Sequence, residues 1–256
     1  MFIKRTPTKF IASQTAKDDE ELEVLPPGKY EFHVEGGIFA SVPTFNAIPF
    51  RAGLIEIKGR PFSDVKNTLH NFFTKETAQI YSDIQINHFI GLILYGPPGT
   101  GKTCLVDNIA KTFAETHQAI TIYINDRSDI LKLKALVNLA RKNANQMVII
   151  TIEELDKFLI SGWAGNEIEK ALIEFCDGSD TPTNVLFIVT TNHINKIPDS
   201  LKKRDSRFAI KALISGIPTE VIEQLVDKFL PKQYEDVINK KELIYEVGNI
   251  FILLVS

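Results

Sequence analysis

Cysteine is scarce in this chain. Two residues among 256, Cys104 and Cys176, stand far apart, which argues against a disulfide framework or a cysteine-based zinc site and leaves both as small packing residues. Long apolar runs are also missing. The stretch at 250–255 is far shorter than the roughly 20 residues a membrane helix needs, and the opening Met1-Phe2-Ile3-Lys4-Arg5 lacks the apolar core of a signal peptide. Nor is there an excess of positive charge: 29 Lys and Arg against 32 Asp and Glu give a net charge of −3. A global basic footprint for nucleic acid is therefore absent, although local patches stay open. Repeats and low-complexity segments are not found. What is left is an ordinary globular composition, 44% hydrophobic and 24% charged, long enough for one sizeable domain and a smaller appendage. The setting expected is cytoplasmic and reducing, with no membrane span.

Against that background one segment stands out. Gly96, Pro97, Pro98, Gly99, Thr100, Gly101, Lys102 and Thr103 fill the phosphate-loop pattern G-x-x-x-x-G-K-[ST], directly after the apolar run at 90–95. A helix follows, with Leu105, Ile109 and Phe113 on one face. Glycines let the backbone wrap closely around phosphate oxygens, and N–H groups at a helix N-terminus favour their charge. Lys102 can reach β- and γ-phosphates, and the Thr103 hydroxyl can ligate Mg²⁺. Cys104, which opens the helix, completes the candidate nucleotide-contacting set. The pattern implies a bound nucleoside triphosphate.

Along the chain, residues 1–25 read as a flexible leader ending in the acidic run Asp18-Asp19-Glu20-Glu21. Residues 26–60 read as a small β-rich element: Tyr30, Phe32 and Val34 alternate with polar residues, Gly36-Gly37 turns the chain, and 38–45 and 54–58 resume strand patterns. Helical spacing begins at Val65, Leu69 and Phe72-Phe73, with a second short helix carrying Ala78 and Tyr81. After the phosphate loop, 119–124 reads as a strand, the continuous apolar run at 147–152 suits a strand covered on both faces, 185–191 is a further buried strand and 208–214 a weaker one. Between them lie helices capped by Ser128 and by an Asn166/Glu169 capping box. Strands alternating with helices predict an α/β fold: a doubly wound, mostly parallel sheet of the P-loop NTPase kind, with helices on both faces.

The apolar run ending at Ile152 leads into Glu153-Glu154-Leu155-Asp156. Acidic residues at the C-terminal end of a buried strand lie where open α/β sheets bind ligands. One carboxylate there can hold Mg²⁺ and the next can polarise a water for attack on the γ-phosphate.

Together the phosphate loop, this acidic segment, Phe175-Cys176-Asp177-Gly178, Thr190-Thr191-Asn192 and Arg204-Asp205-Ser206-Arg207-Phe208 resemble the AAA family of ATPases, from about residue 62 to 217. The segment from Ile80-Tyr81 to Gly96 looks like the bacteriophage and mitochondrial-translocase branch. The resemblance implies a 61–217 ATP-binding domain using ATP and Mg²⁺, with Glu153 on the metal side where the commonest family residue is Asp. It makes Glu154 the catalytic base and Asn192 the residue that orients water and senses the γ-phosphate. Arg204 and Arg207 would be arginine fingers acting on a neighbouring subunit, where Asp205 and Ser206 replace the usual Pro-Gly. A homo-oligomer follows, a hexameric ring by preference.

Two departures accompany the resemblance. The aromatic-apolar-glycine grip on a polypeptide is missing after 119–124, though Trp163, on an expected glycine-flanked loop, is an alternative pore residue and more often a packing anchor. Residues 218–256 read as a partial helical lid: Val221, Ile222, Leu225 and Phe229 form one apolar face, and no arginine follows Arg207. The lid expected is about half the family's usual length, with the apolar tail at 250–254 lacking a partner. The function implied is ATP hydrolysis driving remodelling of a macromolecule, a protein in preference to nucleic acid. A clamp-loader or helicase-loader-like replication accessory, and a nucleotide-dependent scaffold with weak turnover, are the alternatives.

Overall fold

A computed structural model describes residues 2–6, 9–13, 21–22, 25–37, 40–50, 60–141, 145–159, 163–177, 181–203 and 207–216. In chain order the elements are β1 (Phe2–Thr6), β2 (Lys9–Ser13), β3 (Glu21–Leu22), β4 (Gly28–Gly37), β5 (Ala40–Ile48), α1 (Phe62–Phe72), α2 (Lys75–Asp83), β6 (Phe89–Tyr95), α3 (Lys102–His117) and β7 (Ile120–Ile124). There follow α4 (Arg127–Ile130), α5 (Leu133–Ala140), β8 (Val148–Ile152), α6 (Trp163–Asp177), β9 (Val185–Thr191), α7 (Asp199–Lys202) and β10 (Ile210–Leu213), with single 3₁₀ turns at Leu155–Lys157 and Ile194–Lys196.

Ten strands form one sheet in the order β10-β6-β9-β8-β7-β4-β5-β2-β1-β3. From β10 to β4 every neighbouring pair is parallel; beyond β4 every pair is antiparallel. The parallel strands are apolar on both sides because both sides are covered. Ile93, Ile150, Ile152, Phe187 and Val189 point into one core with Leu136 and Val137 of α5 and Leu172 and Phe175 of α6. Their neighbours Leu92, Leu94, Ile149, Leu186 and Ile188 point into the other, with Leu69 of α1 and Leu105, Ile109 and Phe113 of α3. That strict alternation is the period-2 signature of a strand sandwiched between helix layers. The doubly wound α/β fold is what the strand and helix spacing predicted.

The N-terminal region departs from expectation. Residues 2–6 and 9–13, expected within a flexible leader, are the paired strands β1 and β2. The acidic run at 18–21 favoured the leader reading, but Phe2, Ile3, Phe10 and Ile11 upstream have strong β propensity and β5 offers β2 an edge. The β-rich element expected at 26–60 joins the main sheet: β4 runs parallel to β7, and Gly28 N–H donates to the Ala119 carbonyl at 3.2 Å. Phe32 and Phe45 sit opposite each other on β4 and β5 with ring centroids 5.3 Å apart and belong to the core beneath β7 and β8. A strand predicted at 54–58 and the lid helix predicted within 218–256 lie outside the described residues.

Two helix starts also differ. Asp126, not Ser128, caps α4, its carboxylate accepting from the Ser128 N–H at 2.7 Å, and α5 is a separate helix. Asn166 lies inside α6, which already begins at Trp163; Glu169, the other half of the expected capping box, accepts a hydrogen bond from the Ser200 hydroxyl instead. In the first case one local cap replaces another two residues away; in the second a long-range partner takes up the side chain that the local pattern had assigned to a cap.

Candidate functional site

The parallel order of β6, β9 and β8 brings three loops to one end of the sheet. Tyr95 is in register with Thr191 and Val189 with Ile152, so the chain leaves all three strands side by side. After β6 comes Gly96, after β8 Glu153 and after β9 Asn192. From β6 the chain crosses through α3 to β7, past β9 and β8, while β10 lies on the other flank of β6. Such a reversal opens a crevice at the carboxyl ends of the strands, where ligands bind in this architecture.

The loop itself is shaped by close approach and by positive φ. A Cβ on Gly96 would lie 2.0 Å from the Ile214 carbonyl oxygen, so the loop can start against β10 only without a side chain. Gly101, the residue preceding α3, has φ +92°, a left-handed value that L side chains resist. Between them run Pro97, Pro98, Gly99 (φ +77°) and Thr100, whose hydroxyl donates to the Pro97 carbonyl at 3.0 Å. Lys102 is buried, and its ammonium donates to the carbonyls of Gly96 at 2.8 Å and Pro97 at 2.6 Å. Burial pulls the Lys102 pKa below the ordinary lysine value, opposed by the carboxylates of Glu154, Asp156 and Glu153. An ammonium among three acids at a helix N-terminus is placed for the oxygens of a polyphosphate. Cys104 is half-buried on the first turn of α3 and packs against the core on the α1–α3 side.

The acidic loop is tied to this cradle. The Thr103 hydroxyl donates to Glu153 Oε2 at 2.9 Å, bringing together the two side chains expected on the metal side. Both are hard oxygen donors of the kind Mg²⁺ takes, and glutamate's extra methylene does not prevent the contact. Among the described residues no three His, Cys, Asp or Glu side chains form a metal cage. A site with one hydroxyl and one carboxylate suits a cation that keeps most of its ligands as water and phosphate oxygen.

Glu154 stands in the left-handed region, φ 52° and ψ 49°. Its Oε1 accepts from the Asn192 amide at 3.1 Å, and its Oε2 is paired with Lys157. The hydrogen bond and charge of Glu154 raise the Lys157 pKa above the ordinary lysine value. The expected base and the expected water-orienting amide are therefore in contact across the ends of two strands. Two adjacent threonines complete the linkage. The Glu154 N–H donates to Thr190 Oγ1 at 2.9 Å, and Thr191 Oγ1 donates to Asp156 Oδ1 at 2.6 Å. No local pattern sets Thr190, Thr191 and Asp156 apart as functional; for the two threonines the signal is the hydroxyl-bearing end of an otherwise apolar strand.

Of the two arginines expected as fingers, Arg207 alone is among the described residues. Arg204 lies outside the described residues. Arg207, expected as a finger reaching a neighbouring subunit, is instead buried at 4% exposure, with its guanidinium paired to Asp177 at the end of α6 and donating to the Ser200 carbonyl. A guanidinium fixed inside its own subunit by a carboxylate and a carbonyl is not presented outward in this conformation. Trp163 opens α6 rather than sitting on a loop, and its side chain falls outside the described residues.

A glycine-rich loop between a buried parallel strand and a helix, with acids on the second strand over, defines a P-loop nucleoside triphosphatase. Residues 92–215 match the family described as "ATPase family associated with various cellular activities (AAA)", and the chain carries an AAA-family ATPase domain. It is similar to the 26S proteasome regulatory subunit 6B homolog of Saccharomyces cerevisiae, 34% identical over 140 residues that make up 48% of this chain and 31% of the yeast protein. The proteasome-associated ATPase of Frankia alni is 27% identical over 184 residues, 60% of this chain and 30% of that protein. The mitochondrial Lon protease homolog of Caenorhabditis elegans is 24% identical over 242 residues, 81% of this chain and 24% of that protein. The chain thus spans about a third or less of the length of these relatives. None of the three bears a name from the bacteriophage or mitochondrial-translocase branch. No helix among the described residues is long and apolar enough to cross a membrane.

Proposed function

We propose that this chain hydrolyses ATP and uses the cycle to remodel a protein, working as a ring-forming homo-oligomer. The observation that carries the reading is the convergence of Lys102, the Thr103–Glu153 pair and the Glu154–Asn192 pair at the ends of three adjacent parallel strands. Lys102 binds the β- and γ-phosphates and the α3 N-terminus takes their remaining charge. Thr103 and Glu153 would hold Mg²⁺, which neutralises charge on the phosphate oxygens. Glu154 orients the attacking water and accepts its proton, and the Asn192 amide fixes the carboxylate for that task. Positioning of this kind, more than covalent chemistry, is what phosphoryl transfer requires.

Protein as the substrate class rests on the relatives named for the proteasome and for Lon protease. Arg204 is the better candidate for action across a subunit boundary, since Arg207 is tied to Asp177. The test is nucleotide binding and phosphate release by Lys102→Ala and Glu154→Gln. Lys102→Ala is expected to lose ATP binding, and Glu154→Gln to retain ATP without turnover. ATP affinity unchanged in the first variant, or turnover unchanged in the second, overturns the assignment. A scaffold with weak turnover is the second reading, favoured by one fact: both oxygens of Glu154 already have partners. A wild-type protein that binds ATP but releases no phosphate would establish it in place of the first.

A further inference from the structure

Glu154 is the residue on which hydrolysis turns, and its backbone sits where a non-glycine residue is uncommon, φ 52° and ψ 49°. Something must hold it there. The buried end of β9 supplies the candidates, because Thr190 is 2% exposed and Thr191 is 0% exposed. Thr190 Oγ1 accepts the Glu154 N–H at 2.9 Å, a contact between positions 36 apart in sequence. Thr191 Oγ1 donates to Asp156 Oδ1 at 2.6 Å and accepts the His193 N–H at 2.9 Å. One hydroxyl therefore grips the turn that carries Glu154. The next grips the far end of the same turn and, through His193, the turn that carries Asn192.

We infer that Thr190 and Thr191 form a two-point clasp, acting as positioning residues that lock the Glu154 turn to the Asn192 turn and set the geometry of the water-activating pair. The inference rests on the proposed ATP hydrolysis. The hydroxyls of both threonines are engaged by the Glu154 and Asn192 turns, and both act through the two residues that do the chemistry. The logic is mechanical. Asn192 reaches Glu154 Oε1 at 3.1 Å only while both turns hold their places. A buried hydroxyl is a stiffer anchor than water, since burial excludes the competitor for the bond. Displacing a reacting group by about 1 Å can lower a rate by about 100-fold without removing any catalytic atom.

Thr190→Val keeps the shape and removes the acceptor; Thr190→Ser keeps the acceptor and removes the methyl. Thr190→Val is expected to lower kcat by roughly 10- to 100-fold with ATP Kd changed less than about twofold, and Thr190→Ser to restore turnover to within about threefold of wild type. Thr191→Val should show the same split between kcat and Kd. Amide hydrogen exchange at Glu154 provides a reading that does not depend on turnover: it should quicken in Thr190→Val and stay slow in Thr190→Ser. Full turnover in Thr190→Val beside an inactive Glu154→Gln would overturn the clasp and leave the hydrolysis reading intact. Equal losses in the valine and serine variants would overturn it too, since packing of the methyl would then be the cause. Should wild type release no phosphate, the hydrolysis reading fails, while unchanged Glu154 exchange in Thr190→Val separately overturns the clasp.

Discussion

Lys29 offers the sharpest test of how the N-terminal strands are bound to the ATP site. It lies on β4 with 8% exposure, and its ammonium meets Asp107 Oδ1 of α3 at 2.6 Å. The same carboxylate oxygen accepts the Tyr123 hydroxyl of β7 at 2.8 Å, and the ammonium sits 4.3 Å from the centre of the Tyr123 ring. Asp107 is 0% exposed, so Lys29→Met withdraws the ammonium from a carboxylate that water cannot reach, leaving the Tyr123 hydroxyl bound to it. Removing one partner of a buried ion pair costs about 3–5 kcal/mol, whereas replacing both by apolar side chains of similar volume is often close to neutral. Lys29→Met should therefore lose about 3–5 kcal/mol. The double variant Lys29→Met/Asp107→Leu should recover all but about 1–2 kcal/mol, the remainder being the lost acceptor of the Tyr123 hydroxyl. Urea unfolding followed by tryptophan fluorescence and circular dichroism gives the stabilities, and the four-protein cycle gives the coupling. A loss below about 1 kcal/mol for Lys29→Met is the behaviour of a solvated surface pair and would refute the reasoning. So would a double variant less stable than the single one.

Other outcomes follow from the same structure. Arg207→Met should cost about 1–3 kcal/mol in stability, because a buried guanidinium gives up its hydrogen bonds to Asp177 and the Ser200 carbonyl while the exposed Asp177 carboxylate stays in water, and mixed with wild-type subunits it should lower activity in proportion to its share. Arg204→Ala should, in the same mixing assay, depress activity more steeply than its share; a proportional loss would exclude action across an interface. Burial raises the Asp129 pKa above the ordinary aspartate value, with Asp126 adding to the rise and Lys132, His33 and the Ser128 hydroxyl opposing it. The folded state thus binds the proton more tightly than the unfolded one, so this contribution is fully present below the unfolded pKa and is lost as pH rises through the folded value. Asp129→Asn should raise Tm at pH 7 relative to wild type, with the advantage shrinking as the pH falls into the acid range; an equal gain at all pH values would contradict the assignment.

Much of the parallel sheet could be read from residue order alone. The runs at 90–95, 147–152 and 185–191 are apolar on both alternating faces, apart from threonines at their carboxyl ends, because each of β6, β8 and β9 is covered on both sides. The phosphate loop was legible because each of its residue types answers to a local demand, such as the positive φ at Gly101. What escaped was what depends on partners distant in sequence. Residues 2–6 and 9–13 look like part of a leader until β5 provides an edge for β2, and nothing near Lys29 in sequence points to Asp107, 78 positions away. Asn166/Glu169 satisfies a local capping pattern, yet the Ser200 hydroxyl takes up Glu169. Arg207 carries the charge of a finger, and only the position of Asp177 reveals that the charge is already used. The roles of Thr190 and Thr191 were hidden for the same reason, since their partners Glu154 and Asp156 lie on another loop.

The place of β4 in the sheet also governs when the molecule can be finished. β4 and β5 are neighbours in sequence and can zip together as soon as residue 48 has been made, but the strand that closes the other edge of β4 ends at residue 124. At a synthesis rate of about 5–20 residues per second, that leaves roughly 4–15 s in which the hairpin presents a bare row of backbone donors and acceptors. A bare strand edge is a template for other chains. The ribosome-bound nascent chain is accordingly the form of this protein most exposed to mispairing, and shortening the stretch between residues 48 and 120 would shorten that exposure.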